Sequence, residues 1–317
     1  MKKPVVPIAY HQCVTHDVIT HAGLFPDLHQ NRISLLKRNS MFQGATREAT
    51  LMGQVKVTLE DVECGFAEQV CHVASDKVLI MRLVPKIRTL LNAREVCPAK
   101  LYICSGKFLH ALGTGESQIS MVTIDRSLLA HLNTPIQALL GTAAPFEMTI
   151  SPCPDATREF ADQLNACLAA AARAPDASQA ADILLRVIRS TTDVLSEDRA
   201  YAAGNVSPTR AYIVREACQL LHAHLFNCDL SIDDICTRLK VSRRTLQYSF
   251  QAVIGMAPLN YIRLIRLNAA RKLILDAPRE EIQGIASEAG FNHLGRFSGY
   301  YKDFYGELPS MTGILAG

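Results

Sequence analysis

Between residues 33 and 125 the chain alternates short apolar stretches with turn-forming positions. RISLLKR, QVKVTLEDVE, KVLIMRLV, KLYICSG and QISMVTID are rich in Val, Ile and Thr, and Gly, Asp, Ser or Pro separate them. The pattern predicts strands, and several short strands in succession predict a sandwich or barrel. From Ser127 the period becomes helical. Over 155–172, Phe160, Leu164, Cys167, Leu168 and Ala171 fall on one helical face. Over 177–196, Ala180, Ile183, Leu184, Val187, Ile188, Thr191, Val194 and Leu195 recur at steps of three and four, as in a helix-pairing seam. Two readings fit that seam: packing on the preceding helix, or pairing with a second subunit. Residues 202–209, AAGNVSPT, are small and polar, and they are the best linker candidate. Beyond them the pattern is helical to the end.

The last third contains a duplication. Ile232, Ile235, Leu239, Lys240 and Val241 correspond to Ile282, Ile285, Ala289, Gly290 and Phe291 at a constant offset of 50. Leu246, Phe250, Gly255 and Pro258 correspond to Phe297, Tyr301, Gly306 and Pro309 at an offset of 51. Each unit therefore reads as helix, tight turn, helix, and the second carries one extra residue before its second helix. Ser242 is the expected N-cap of one second helix and Asn292 of the other. Leu246 with Phe250, and Phe297 with Tyr301, face inward. Gly290 supplies a turn conformation that Lys240 would reach at a modest cost. The helix between the units, 259–276, is about 27 Å long, close to the roughly 34 Å between successive major grooves on one DNA face.

Charge sharpens this picture. The chain has 317 residues and a net charge of only +3, but 237–272 contains Arg238, Lys240, Arg243, Arg244, Arg263, Arg266, Arg271 and Lys272 with no Asp or Glu. A one-signed block of that length points to an anionic partner. Length alone suggests about two domains. No run of 18 apolar residues exists and no leader pattern opens the chain, so neither a membrane span nor export is expected, and the expected location is cytoplasmic. The ten Cys form no CxxC pair and read as reduced thiols.

The runs VSRRTLQYSFQAVIGMAPLNYIRLIRLNAARKLIL and IASEAGFNHLGRFSGYYKDFYGELPS resemble the DNA-binding domain of the AraC/XylS transcription regulators over 212–317. VSRRTLQ, IRLNAAR and HLGRF resemble the branch containing the ethanolamine-operon regulator. The resemblance implies an α+β chain. Residues 1–201 would form an effector-binding and dimerisation domain, an N-terminal β-barrel or sandwich with helices. Residues 202–211 would be a linker, and 212–317 an all-α domain of two helix-turn-helix units joined by a long helix. It implies that Arg244, Gln247 and Tyr248 read bases, with Ser242 and Arg243 on phosphates and Thr245 beside them. Arg and Gln suit this task because they make bidentate bonds to guanine and adenine. The second unit offers His293, Arg296 and Ser298, with Arg296 its main reader because Gly295 and Gly299 leave two outward places bare. Lys272 is expected on phosphate. The implied partners are double-stranded DNA, a small effector held in the N-terminal barrel, RNA polymerase and a second copy of the chain, and the implied action is activation.

Two rival readings use the N-terminal half. His11, Cys13, His16, His21 and His29 are metal-ligand types without a recognised ligand spacing, in a segment that reads as a loose end, and Cys64 with Cys71 are redox candidates. A small-molecule enzyme would need a clustered catalytic set, and neither a phosphate loop, a nucleophile elbow nor a carboxylate pair stands out. No cofactor or metal is expected.

Overall fold

The computed structural model describes residues 8–38, 40–113, 115–132, 137–140, 144–173, 175–196, 210–225, 230–276 and 281–312. The expected linker, 202–209, lies outside these residues. The N-terminal half contains strands β1 (Ile8–Thr15), β2 (Leu28–Leu35), β3 (Phe42–Leu51), β4 (Val55–Cys64), β5 (Ala67–Val73), β6 (Lys77–Pro85), β7 (Leu90–Leu91), β8 (Arg94–Glu95), β9 (Leu101–Ser105), β10 (Phe108–Leu112), β11 (Glu116–Asp125) and β12 (Phe146–Ile150). Among them lie short helices α1 (Val18–Ala22), α2 (Arg126–Ala130) and α3 (Gln137–Leu140). Helices α4 (Pro154–Ala171) and α5 (Ala177–Ser196) follow. The C-terminal part contains α6 (Arg210–Ala223), α7 (Ile232–Leu239), α8 (Arg243–Val253), α9 (Pro258–Asp276), α10 (Ile282–Glu288) and α11 (Leu294–Tyr305).

The strands form two antiparallel sheets, ordered β1-β3-β4-β11-β6-β9-β12 and β2-β5-β10-β7-β8. Neither closes on itself or on the other, so the barrel option gives way to two open, facing sheets. Strand β6 lies between two layers. Leu79, Met81 and Leu83 face the smaller sheet, packing with Cys71, Leu91 and Leu109. Val78 and Ile80 point the other way, onto α4 and α5. A strand covered on both faces reads as a continuous apolar run, as KVLIMRLV does, rather than as an alternation.

The seam on α5 is internal. Ile183, Val187, Val194 and Leu195 share one core with Phe160, Leu164 and Leu168 of α4 and with Leu51, Val55 and Val57 of the larger sheet. Each fully buried Leu, Ile or Phe here contributes about 1.5–3 kcal/mol of transfer free energy. Asp176 sets the start of α5: its carboxylate accepts from the Gln179 amide at 2.9 Å, and Gln179 Oε1 accepts from the Asp176 amide at 3.1 Å.

Two expectations for the flanks of the strand region are overturned. Helical structure does not simply take over after Ser127, because β12 returns to pair with β9 at the sheet edge. Nor is the His-rich start a loose end. Residues 8–15 pair along their whole length with β3, and α1 follows, capped by Asp17. His21 is fully buried, 2.8 Å from both Thr15 Oγ1 and Glu60 Oε1.

Candidate nucleic-acid interface

The first helix pair is built as its sequence dictates. Ser231 caps α7 in a reciprocal box with Asp234, and the helix ends at Lys240, which is left-handed at φ 54°. A lysine there costs roughly 1–2 kcal/mol relative to a right-handed residue. Ser242 then accepts from the Thr245 amide at 3.0 Å and starts α8. Leu246 and Phe250 are buried, while Arg243, Arg244, Thr245, Gln247 and Tyr248 are exposed. The inward pair meets Ile235, Val214 and Tyr261, so α8 is held by its core face and shows a polar one to solvent.

The second pair repeats the plan with one change. Its turn residue, Gly290, has φ 84°, and a Cβ there would sit 2.8 Å from the Arg266 guanidinium, whose Nη1 donates to the Gly290 carbonyl. The left-handed φ favours glycine at this position, and a side chain there would also displace the Arg266 guanidinium, whereas Lys240 is tolerated at its counterpart. The N-cap of α11 is His293, not Asn292, and its side chain makes no cap bond. The extra residue in this turn moves the cap one position on. Phe297 and Tyr301 are buried, His293 and Arg296 are exposed, and Ser298 is half-buried. No side chain occupies the surface at Gly295 or Gly299, where an added Cβ would meet nothing within 4 Å.

The basic block is less free than its composition implies. Asp233 binds Arg243 bidentately, while Arg271 makes a single bond to Glu307 at 2.6 Å and Lys272 a single bond to Asp276 at 2.5 Å. Asp233 and Asp276 lie just outside the 237–272 window, and Glu307 lies well beyond it, after α11. Pairing lowers the Asp233 carboxyl and raises the Arg243 guanidinium. Arg263 stacks on Tyr300, and Arg244 on Tyr248 at 5.3 Å from the ring centroid. Arg244, Gln247 and Tyr248 thus share one exposed face of α8. Lys272 lies elsewhere, on a cavity lined also by Ile19 and Asn31 of the N-terminal half.

That cavity belongs to a contact the sequence did not disclose. Glu68 of β5 is fully buried. His110 Nε2 donates to Glu68 Oε2 at 3.0 Å, and the Tyr261 hydroxyl of α9 donates to the same oxygen at 2.7 Å. His222 Nε2 of α6 is 2.9 Å from the Tyr261 oxygen and 3.3 Å from Glu68 Oε1. Since Tyr261 gives its proton to Glu68, its oxygen accepts from His222. Burial works against the Glu68 charge, but His222 and His110 hold its carboxyl well below the usual range. Leu36, Leu90 and Leu112 join the core of the first helix pair, and Asn268 bonds both backbone groups of Leu35. The two halves of the chain therefore share a buried, polar seam.

The rival sites are not assembled. His21 is enclosed by Thr15 and Glu60, while His11, His16 and His29 are exposed. Among the described residues no group of three His, Cys, Asp or Glu is placed to hold a metal ion. Burial pushes the Cys64 and Cys71 thiols up to about 12, which makes both poor nucleophiles. Among the described residues, no helix is long and apolar enough to cross a membrane.

Residues 235–313 match the protein family described as "Helix-turn-helix domain". This part of the chain is therefore a helix-turn-helix domain. A probable thc operon regulatory protein from Rhodococcus erythropolis is 38% identical to this chain over 105 residues, which is 32% of this chain and 31% of that protein. The XylDLEGF operon transcriptional activator of Pseudomonas putida is 37% identical over 86 residues, 26% of this chain and 27% of that protein. The chain thus spans less than a third of the length of these curated relatives. Among solved structures, the AraC-like transcriptional activator CuxR aligns with 88% of this chain and all of its own, at 14% identity and a TM-score of 0.41.

Proposed function

We propose that this chain is a sequence-specific DNA-binding transcription regulator that activates in response to a small effector. The observation that carries this reading is the exposed face of α8. Arg244, Gln247 and Tyr248 stand outward on a helix whose opposite face, Leu246 and Phe250, is locked in a core. Arg and Gln are the side chains that distinguish guanine and adenine in the major groove. Arg243, Ser242 and Thr245 at the α8 start lie where phosphate contacts position such a helix. Arg296 on α11 would be the reader of the second unit, between His293 and Ser298. The N-terminal half, with its seam onto α6 and α9, would sense the effector and pass its state to α8.

Within this proposal the chain works in the cytoplasm as a homodimer and recruits RNA polymerase. Its likeness to the ethanolamine-operon branch rests on VSRRTLQ, IRLNAAR and HLGRF and names no effector. The test is selection of bound sequences from a random duplex library, followed by footprinting on the best site. A defined motif that disappears with Arg244→Ala supports the reading. Binding of equal strength to every duplex, with no motif recovered, would exclude sequence-specific regulation.

A further inference from the structure

The larger sheet ends in β1 on one side and β12 on the other, and the smaller sheet ends in β2 and β8. An open edge presents a row of unpaired backbone N–H and C=O groups. Folded proteins blunt such edges with short strands, charges, bulges or covering segments. Three of these four edges are blunted. Strand β12 has five residues, Glu147 among them, and β8 has two, Arg94 and Glu95. Strand β2 carries Arg32 and a register shift between His29 and Arg32, and Asn268 of α9 bonds both backbone groups of Leu35 at its end.

Strand β1 has none of these devices. Its eight residues, IAYHQCVT, include no Pro, Gly, Lys, Arg, Asp or Glu. They pair with β3 at eight consecutive positions without a bulge, so the strand is long and regular. Among the described residues β3 is its only strand neighbour. His11, Gln12 and Val14 are exposed, Val14 by 52%. The stripe on α5, the other candidate for a subunit contact, is spent inside the fold.

Symmetry identifies the occupant. A twofold axis perpendicular to the sheet lets an edge strand pair antiparallel with its own copy. Opposite residues must point to the same face, so the axis passes through a residue. With the axis at His11, two imidazoles would stand directly opposite each other. With it at Gln12, residues 9–15 pair, His11 meets Cys13, and the ring of Tyr10 covers the exposed Val14 of the partner subunit. Gln12 suits the axis because its amide both donates and accepts. Its Oε1 accepts from the Tyr10 hydroxyl at 3.2 Å, which leaves Nε2 to donate across the axis. We infer that β1 is a subunit interface, pairing antiparallel with β1 of a second copy about a twofold axis at Gln12 and joining the two larger sheets into one. This pairing rests on the reading of the chain as a homodimer and supplies its contact. A ladder of this length lies at the small end of protein interfaces, so the dimer should dissociate on dilution.

The test is sedimentation velocity of the full chain over a range of concentrations, with circular dichroism to confirm that each variant is folded. Gln12→Lys and Gln12→Glu each set two like charges opposite each other, and each should weaken self-association about tenfold or more. An equimolar mixture of the two variants should restore it, because Lys then faces Glu. Leu185→Glu, on an exposed position of α5, should leave self-association unchanged. Amide exchange over residues 8–15 should slow as the wild-type concentration rises. Self-association that survives both Gln12 variants, or a mixture of them that stays monomeric, would overturn the β1 interface while a wild-type dimer keeps the homodimer reading. A wild type that is monomeric at every concentration would overturn both.

Discussion

The Tyr261 hydroxyl donates to Glu68 Oε2 over 2.7 Å, joining residues 193 positions apart in the chain. One belongs to the smaller sheet and the other to the helix between the two helix pairs. A buried carboxylate persists only when donors surround it, so the seam fixes where α9 sits on the sheet. Tyr261→Phe keeps the ring packed on Phe250 but withdraws a donor from Glu68 and leaves His222 Nε2 without its nearest acceptor. The variant should lose about 1–3 kcal/mol, seen as a lower urea midpoint. An unchanged midpoint would mean that the seam does not hold the halves together.

Stability should also depend on pH through His110. Burial opposes charging of this imidazole, but its contacts with Cys218 and Glu68 more than offset that and raise it to about 10. In the unfolded chain its value returns to roughly 6.5. A group raised on folding stabilises fully below the unfolded value, and its contribution is lost as pH climbs toward the folded one. Urea midpoints should therefore fall between pH 6.5 and 10. His110→Gln should flatten that decline. An equally steep decline in the variant would assign the effect to other groups.

The stripe on α5 faces α4 and the larger sheet, with Ile183, Val187 and Val194 buried, while Leu185, off the stripe, is 60% exposed. Val187→Asp places a charge in that core and should destabilise the chain by several kcal/mol. Leu185→Glu should change stability by no more than about 0.5 kcal/mol. Leu184 is half-buried against the same core, so Leu184→Glu should lower the melting temperature. A folded monomer from that variant, where the wild type scatters light as a dimer, would instead place the subunit contact on α5.

Local rules were legible in the sequence wherever a residue's neighbours in the chain decide its state. The inward pair Leu246 and Phe250, the Ser242 cap and the left-handed turns at Lys240 and Gly290 all follow from spacing and residue type. The strand β1 was not legible, because it lies at a sheet edge and its exposed positions carry His11, Gln12 and Val14 without a clear alternation. The Asn292 cap was misplaced because the second turn is one residue longer. The eight-cation block looks free because its carboxylates sit outside the window: Asp276 one turn on along α9, and Asp233 and Glu307 brought in by the fold. The seam from Glu68 to Tyr261 had no local signal at all. A lone Glu within a strand and a lone Tyr within a helix disclose nothing until the fold brings them together.

The pairing of Arg243 with Asp233 separates two kinds of DNA contact. An arginine already held by a carboxylate must release it before it can neutralise a phosphate, so Arg243→Ala should weaken binding only modestly and alike for all sequences. Asp233→Asn frees the cation. It should tighten binding to every duplex and steepen the dependence of log affinity on log salt by about one unit. Among the described residues Arg244 has no carboxylate partner, and it stands over Tyr248, so it is available to a base edge. Arg244→Ala should lose about 1–3 kcal/mol on the preferred site and relax base preference at one position, with little change in salt slope. Arg296, flanked by Gly295 and Gly299, should matter less for sequence choice than Arg244. These expectations are checked by measuring each variant against a duplex library at two salt concentrations. If Arg296→Ala scrambles the recovered motif while Arg244→Ala leaves it intact, α11 rather than α8 carries the reading. If Asp233→Asn changes neither affinity nor salt slope, Arg243 does not reach the phosphates.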